Sequence, residues 1–462
     1  MGVVHGMARS DTSVPTGTPL SRAMRPVNAV VERYIPSALV FAIVLTFVVG
    51  LMAVALTDSG PVDVVASWGD GLSGLLDFIT QMALILLLGH MLAHTRPVQK
   101  LLRALGSVPR TTMQAYLFVF LVAAIASLIT WGLGLVVAAL IAREVAAQGR
   151  ERGLALHFPM LVAAGFSGFV VWHMGYSGSG PLLAATEGSF IAEQLGAPIP
   201  VSETTYSTWN LIAIVATVLA VAGALYLVAP RPGEKIREFS TEEPVASPRP
   251  ADDERTPADR VDGSRVLTAL LGLLLVAYLV HHYATGGSLT IDIVNWTFLC
   301  LILLLVANPS EMITLTRNAA ANVGEILLQF PLYAGILGIM TASGLVEIIS
   351  AWFVNISTPV TFGLLAFLSA GLVNLAIPSG GGQVAVQGPV MIDAANQIGV
   401  DPAIALMAIA YGDQWTNMIQ PFFALPLLAI AGLKIRDILG YTTVTLIASG
   451  IVFGATMLII SL

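Results

Sequence analysis

Apolar residues run along this chain in blocks of about twenty, the length that spans a lipid hydrocarbon core, with short polar stretches between them. Blocks at residues 35–57, 79–95, 157–180, 207–229, 266–282, 291–307, 323–342, 403–429 and 439–461 predict membrane-crossing helices. A shorter amphipathic piece falls near 345–356. Two blocks do not read as simple crossings. Residues 111–142 lie between the basic clusters Arg96/Lys100/Arg103/Arg110 and Arg143/Arg150/Arg152. Two crossings need roughly 40 residues, more than this block holds, and one crossing would put a basic cluster on the wrong side. A re-entrant hairpin with its tip at "TWGLG" (130–134) resolves the conflict. The block at 359–396 is interrupted by "PSGGG" (378–382), where an unpaired amide in lipid is expensive. It reads as a second hairpin.

Lys and Arg favour the cytoplasmic side. Arg22, Arg25 and Arg33 place the N-terminus inside. The loop at 58–77 carries Asp58, Asp63, Asp70 and Asp77 but no Lys or Arg, so it lies outside. Residues 318–433 hold no Lys or Arg at all, and Lys434 and Arg436 mark the next inside loop. On this count the first hairpin enters from inside and the second from outside. Each is followed by a span with a polar break, "HMGYSGSGP" (173–181) or "YGDQWTNMIQP" (411–421), and tip and break are roughly 40 residues apart in both halves. The expected fold is therefore an all-α polytopic membrane protein. It has two inverted-topology repeats, each with a re-entrant helical hairpin and a broken transmembrane helix. The boundaries read as a disordered cytoplasmic tail at 1–30, a first repeat at 31–229, a cytoplasmic linker at 230–264, and a second repeat with one extra span at 265–462. The linker is charged, proline-rich and too poor in large apolar residues to bury a core.

Composition narrows the class. Hydrophobic residues make up 56% of the chain and charged ones 11%, with mean hydropathy +0.84. That excludes a soluble enzyme on an anchor. The net charge of -7 includes no strongly basic domain, so nucleic acid is not an expected partner. Cys300 is alone and cannot form an internal disulfide. The start of the chain does not read as a signal peptide.

Irregular backbone at membrane depth is tolerated where it lines a cavity. Two opposed tips beside two breaks would make one. Half-helix N-termini offer amide donors suited to an anion. Gly380, Gly381 and Gly382 allow close approach, and Ser379, Gln383, Gln387, Asn374, Thr416, Asn417 and Gln420 offer neutral hydrogen-bonding groups. From the first half come Thr130, Trp131, Gly132, His173, Ser177 and Gly178. Asp413, deep in an apolar run, is the sharpest single residue: it could bind a coupling cation (with Ser379, Asn374 and Thr416), carry a proton, or only accept hydrogen bonds. Glycines and small polar residues also serve helix packing. Trp131, Trp172, Trp415, Phe422 and Phe423 could house a short alkyl tail. His90 and His94, at i and i+4, have no evident third ligand, and no metal site is expected. His281 and His282 read as interfacial, and Glu144 beside Arg143 as a membrane-edge ion pair. No Lys or Arg occurs at either tip or break, so a small monocarboxylate fits better than a di- or tricarboxylate.

Four stretches, "TWGLGLVVAALIAREVA" (130–146), "GFSGFVVWHMGYSGSGPL" (165–182), "NLAIPSGGGQVAVQGPVM" (374–391) and "AYGDQWTNMIQPF" (410–422), resemble the bacterial short-chain fatty acid transporter family. Thr130 stands where that family usually carries Asn. The resemblance covers the chain from about residue 31 onward, apart from the linker. It implies uptake of butyrate- or acetoacetate-like acids across the inner membrane, with no enzymatic activity. It also implies kinship with an ion-transporter superfamily, and so a homodimer, elevator-type motion and coupling to Na+ or H+. No cofactor is implied. The rivals are a transporter of another small carboxylate (a dicarboxylate or peptide-like acid), an anion channel, and an intramembrane hydrolase using Ser379 or Ser177 with His173 as base. The hydrolase lacks a recognised nucleophile motif.

Overall fold

Helices in this chain begin at residues suited to cap them. Thr111, Ser207, Ser264, Thr290, Asn308, Thr358, Ser379 and Asp401 each precede a helix and accept a backbone N–H from its first turn. Pro309, Pro359 and Pro402 follow at the first helical position, where a missing N–H costs nothing. The computed structural model describes residues 38–230, 234, 236–239, 261–321, 323–375 and 377–462. All regular structure among them is helical. The expected tail at 1–30 and most of the linker lie outside the described residues.

Seven described helices are long and apolar enough to cross a membrane, or eight if a bent pair counts as one. That pair is Gly324–Ser343 and Leu345–Ile356, joined at Gly344 in the left-handed region (φ 77°) and bent by 81°. Five of the predicted spans are among these seven, as Leu76–Ala93, Phe158–Ala185, Thr208–Val228, Arg265–Ala284 and Ile435–Ile460, while the blocks at 35–57 and 291–307 form the apolar helices Ala38–Leu56 and Ile291–Leu305. Burial separates lipid-facing helices from the centre. Phe158–Ala185 is 100% buried in its apolar window, against 11% for Arg265–Ala284.

Both segments expected as hairpins form helix pairs whose members pack on each other, with boundaries that differ from those expected. In the first, Thr112–Ile129 and Trp131–Glu151 are joined by Thr130 alone, in extended conformation. Trp131 to Gly134 are helical, not part of the tip. The second arm also runs past Ala142, through Arg143 and Arg150, so each arm is long enough to cross. Length alone no longer requires a turn at mid-depth. In the second, Pro359–Asn374 is followed by Gly380–Ile398, and the three glycines form the first helical turn. A helix at Pro61–Gly71 occupies the acidic loop, unannounced by any apolar block.

Basic residues gather at one end of the bundle. Arg96 pairs with Glu311 (3.0 Å) and Arg103 with Glu144 (3.8 Å). Arg152 donates to the carbonyls of Ser107 and Pro109, and Arg143 to that of Ile430. Glu144 thus pairs with Arg103 and not with its neighbour Arg143. The described piece of linker docks at the same end. Arg237 N donates to His157 Nδ1 (2.9 Å) and Phe158 N to Arg237 O (2.8 Å). The Arg237 side chain reaches Asp437 (3.3 Å), Arg150 donates to Phe239 O, and the Phe239 ring lies 4.8 Å from that of Phe158. The first hairpin opens at this end. The second opens at the other, since a Cβ on Gly363 would meet Ser461 and Met457, at the far end of the helix that starts beside Asp437.

Candidate functional site

The second tip is fastened to the second break by one side chain. The amide nitrogen of Asn374, at the end of its hairpin arm, reaches Asp413 O (2.8 Å), Thr416 Oγ1 (2.9 Å) and Asn417 Oδ1 (2.7 Å). Thr416 in turn donates to Gly371 O (2.9 Å). The break is residues 417–420, between Pro402–Thr416 and Pro421–Ala431, so Asp413 lies on the last helical turn before it. Gln383 and Gln387 serve the hairpin itself. Gln383 donates to Ala370 O (2.8 Å) and to Gln387 Oε1, and Gln387 to Ser369 Oγ, clipping the two arms together. Ser379 accepts from Gly382 N as the helix cap, and Gln420 is buried at the end of the break.

The two halves meet at a buried pair. The first break runs through 175–178, between a 3-10 turn at Gly168–Met174 and the short helix Ser179–Ala185. His173 Nδ1 lies 3.0 Å from Asp413 Oδ2, and both side chains are fully buried. Gly180 N donates to His173 Nε2 (3.2 Å). A backbone N–H can only donate, so Nε2 is the acceptor and the ring proton sits on Nδ1, facing the carboxylate. The next residue, Gln414, accepts from His173 N (2.9 Å). Asp413 Oδ1 has no partner.

The first tip closes the site from the other side. Tyr176 N donates to Leu128 O (2.7 Å), which sets the tip level with the first break. Trp131 lies 6.5 Å from Trp172 and 6.0 Å from Phe423, and Trp172 stacks on His173 at 4.1 Å. Gly132 packs against Leu86, Gly178 against the His173 carbonyl, and Thr130 and Ser177 are buried. The second tip arrives at the same place: a Cβ on Gly380 would stand 2.5 Å from the Trp172 ring and 2.8 Å from that of His173. Trp131, His173, Asp413, Asn374 and Gly380 thus join in one chain of contacts. Gln383 and Gln387 turn away from it.

Most buried polar atoms without a partner belong to these four elements: Ser127 Oγ, Thr130 Oγ1, Trp172 Nε1, Ser177 Oγ, Asn374 Oδ1, Gln383 Oε1, Asp413 Oδ1, Gln414 Nε2 and Asn417 Nδ2. Such atoms are costly and rare in folded interiors, and a cluster of them marks where a ligand, ion or water completes the structure. Among the proposed cation ligands, Asp413 and Asn374 have a free oxygen, whereas the Thr416 and Ser379 hydroxyls are engaged. Among the described residues no three His, Cys, Asp or Glu side chains gather as metal ligands. His90 and His94 stack on each other at 4.4 Å. The ring nitrogens of His173 go to Asp413 and Gly180, and to neither Ser177 nor Ser379. The hydrolase therefore has no serine–histidine pair.

Sequence reasoning passed over Gln414, Ser127 and Tyr333, whose buried hydroxyl has no partner either. Gln414 was within reach, as the polar neighbour of Asp413 in an apolar run. Tyr333 stands on an ordinary apolar helix with no local mark.

A family model described as short chain fatty acid transporter matches residues 19–460. A protein of Escherichia coli (strain K12) that carries the name of a short-chain fatty acid transporter is 40% identical over 445 residues, covering 94% of this chain and 98% of that one. A protein of the same name from Haemophilus influenzae (strain ATCC 51907 / DSM 11121 / KW20 / Rd) is 39% identical over 446 residues, with the same coverage. Among solved structures, the Alcanivorax borkumensis YdaH transporter, described as having an unusual topology, matches with TM-score 0.58 at 17% identity. It covers 91% of this chain and 98% of its own. MtrF of Neisseria gonorrhoeae, described with a class of antimetabolite efflux pumps, matches with TM-score 0.53 at 17% identity, covering 94% and 97%. These two likenesses concern the fold alone.

Proposed function

Because the chain belongs to the short-chain fatty acid transporter family, we propose that it is a secondary transporter of short-chain monocarboxylates such as butyrate and acetoacetate, acting in the inner membrane with its N-terminus cytoplasmic. The observation that carries this reading is the meeting of both tips and both breaks around unpartnered buried polar atoms, with no Lys or Arg at any of them. One negative charge can be held there by amide and indole donors, while a second would lack a counter-ion. The hairpins turn at mid-depth as the re-entrant parts of two inverted repeats. Support comes from the first tip lying level with a break in the wholly buried span, and from the two hairpins opening at opposite ends.

Transport is coupled to Na+ or H+, and Asp413 is the coupling group. Its Oδ2 meets the neutral His173 and its Oδ1 is free, which suits a proton or a small cation that comes and goes. Hairpins and broken spans move together as one unit, elevator fashion, in each subunit of a homodimer. In favour of such a unit, these elements pack on one another, while Ala38–Leu56 and Pro61–Gly71 pack on Gly324–Ser343.

The test is uptake of labelled butyrate by purified protein in liposomes, under imposed Na+ or H+ gradients, with protein-free liposomes as the control for leak of the neutral acid. Saturable uptake driven by one gradient names the ion, and Asp413→Asn should then lower accumulation by about a hundredfold. Loss of protein-dependent uptake and of counterflow in the native protein would remove butyrate as substrate. Wild-type accumulation by Asp413→Asn would remove Asp413 as the coupling group.

A further inference from the structure

Two buried hydrogen-bond donors beside the second tip have no partner. Trp172 is 2% exposed and its indole nitrogen bonds to nothing. Tyr333 is 0% exposed and its hydroxyl is equally unpartnered. An indole N–H can only donate, so no rearrangement turns it into an acceptor for a neighbouring group. Burial of such a donor without an acceptor is expensive, and the rings of both residues press on the same helix start.

That place is the first turn of Gly380–Ile398. A Cβ on Gly380 would stand 2.5 Å from Trp172 Cη2 and 2.9 Å from Cζ2. A Cβ on Gly382 would stand 2.6 Å from Tyr333 Cδ2 and 2.9 Å from Cε2. The two rings therefore flank the helix start, and the glycines let them touch its backbone. The first N–H groups of a helix lack intrahelical partners and carry the positive end of its dipole. The Ser379 hydroxyl satisfies only Gly382 N. Indole, phenol and backbone amides all donate, and no Lys or Arg lies in the sequence from 318 to 433. The missing component is an acceptor with one negative charge.

We propose that Trp172 and Tyr333 hold the substrate carboxylate against the N-terminus of Gly380–Ile398, each donating one hydrogen bond. This rests on the transport reading above and adds two specificity residues to it. Trp172 belongs to the first broken span and Tyr333 to the helix Gly324–Ser343, so the anion is gripped from both sides of the second tip. An uncharged analogue such as butyramide is a poor ligand.

Tyr333→Phe tests this with the least disturbance, since it removes one unpartnered oxygen. KM for butyrate should rise about tenfold or more, the range for losing a hydrogen bond to a charged group, with Vmax retained. The empty variant should unfold in detergent at the native temperature, and the stabilisation by added butyrate should shrink. Trp172→Phe should act the same way on KM, and butyramide should not compete with butyrate in the native protein. A purely structural role predicts the opposite split, with an altered unfolding temperature and native KM. Native KM in both variants overturns the proposal and leaves the transport reading standing. If the native protein shows no uptake, the transport reading falls instead. Butyrate-induced stabilisation of native against Tyr333→Phe protein then decides the donor pair, and equal shifts, or none in either, overturn it.

Discussion

The two hairpin tips differ in what they do with backbone. The first is a single residue, Thr130, and its following helix starts with the bulky Trp131. Its tightest glycine, Gly134, lies where a Cβ would collide with Ser127 of the other arm, so the closeness serves the hairpin's own packing. The second tip is longer, from 375 to 379, and its helix begins with three glycines whose missing Cβ atoms admit Trp172, Phe78 and Tyr333 from other elements. Asn374 then fastens that tip to three groups on the second broken span. Thr130, at the equivalent turn, leaves its hydroxyl unpartnered. The same device is used once to pack a hairpin's own arms and once to admit rings from other elements, and small residues near a turn do not by themselves say which.

Substitution at the glycines should break the comparison most sharply. Gly380→Ala should lower uptake by about a hundredfold with normal membrane insertion, because the intruding methyl meets a buried ring face. Gly134→Ala should instead reduce the folded fraction recovered in detergent, and normal folding with lost uptake would reverse the two assignments. A smaller contrast lies in the tip side chains. Asn374→Ala should cost about 1–3 kcal/mol, read as a lower unfolding temperature, since it strips a buried network of its donor. Thr130→Val should leave the unfolding temperature close to native, because the lost hydroxyl has no protein partner, and should raise KM for butyrate only a few-fold, about the loss of one neutral hydrogen bond.

A last, pH-dependent effect belongs to His157, just before the wholly buried span, where the piece of linker docks. His157 is held down to about 4 from an ordinary 6.5, first by burial and then by the Arg237 cation, with Asp437 pulling the other way. The unfolded chain takes up a proton near 6.5 that the folded protein refuses until about 4. This contribution to stability is complete above 6.5 and is lost as pH falls through that window. His157→Gln should flatten the unfolding temperature between those two values, and an unchanged slope would discharge His157 from that role.

Periodicity told where the long apolar helices run, because it depends on residues close together in sequence. The amphipathic piece expected near 345–356 forms as Leu345–Ile356. What stayed hidden is what depends on distant partners. Nothing near Glu144 says that Arg103, not Arg143, will meet it. The first hairpin's second arm outruns its apolar block because Arg143 and Arg150 find carbonyls on Ile430 and Phe239, far along the chain. At the site, Asp413 and the glycines stood out as violations of an apolar pattern. Tyr333 did not, because a tyrosine on an apolar helix violates nothing until its hydroxyl proves to be unpartnered.

The short clasp at 236–239 tells a bench worker where this gene can be cut. A version expressed as two polypeptides, divided just after residue 240, keeps Arg237 and Phe239 with the half that holds His157, Phe158 and Arg150, and leaves Asp437 of the other half as the hook they catch. Division just before residue 236 would send the clasp off on the wrong piece.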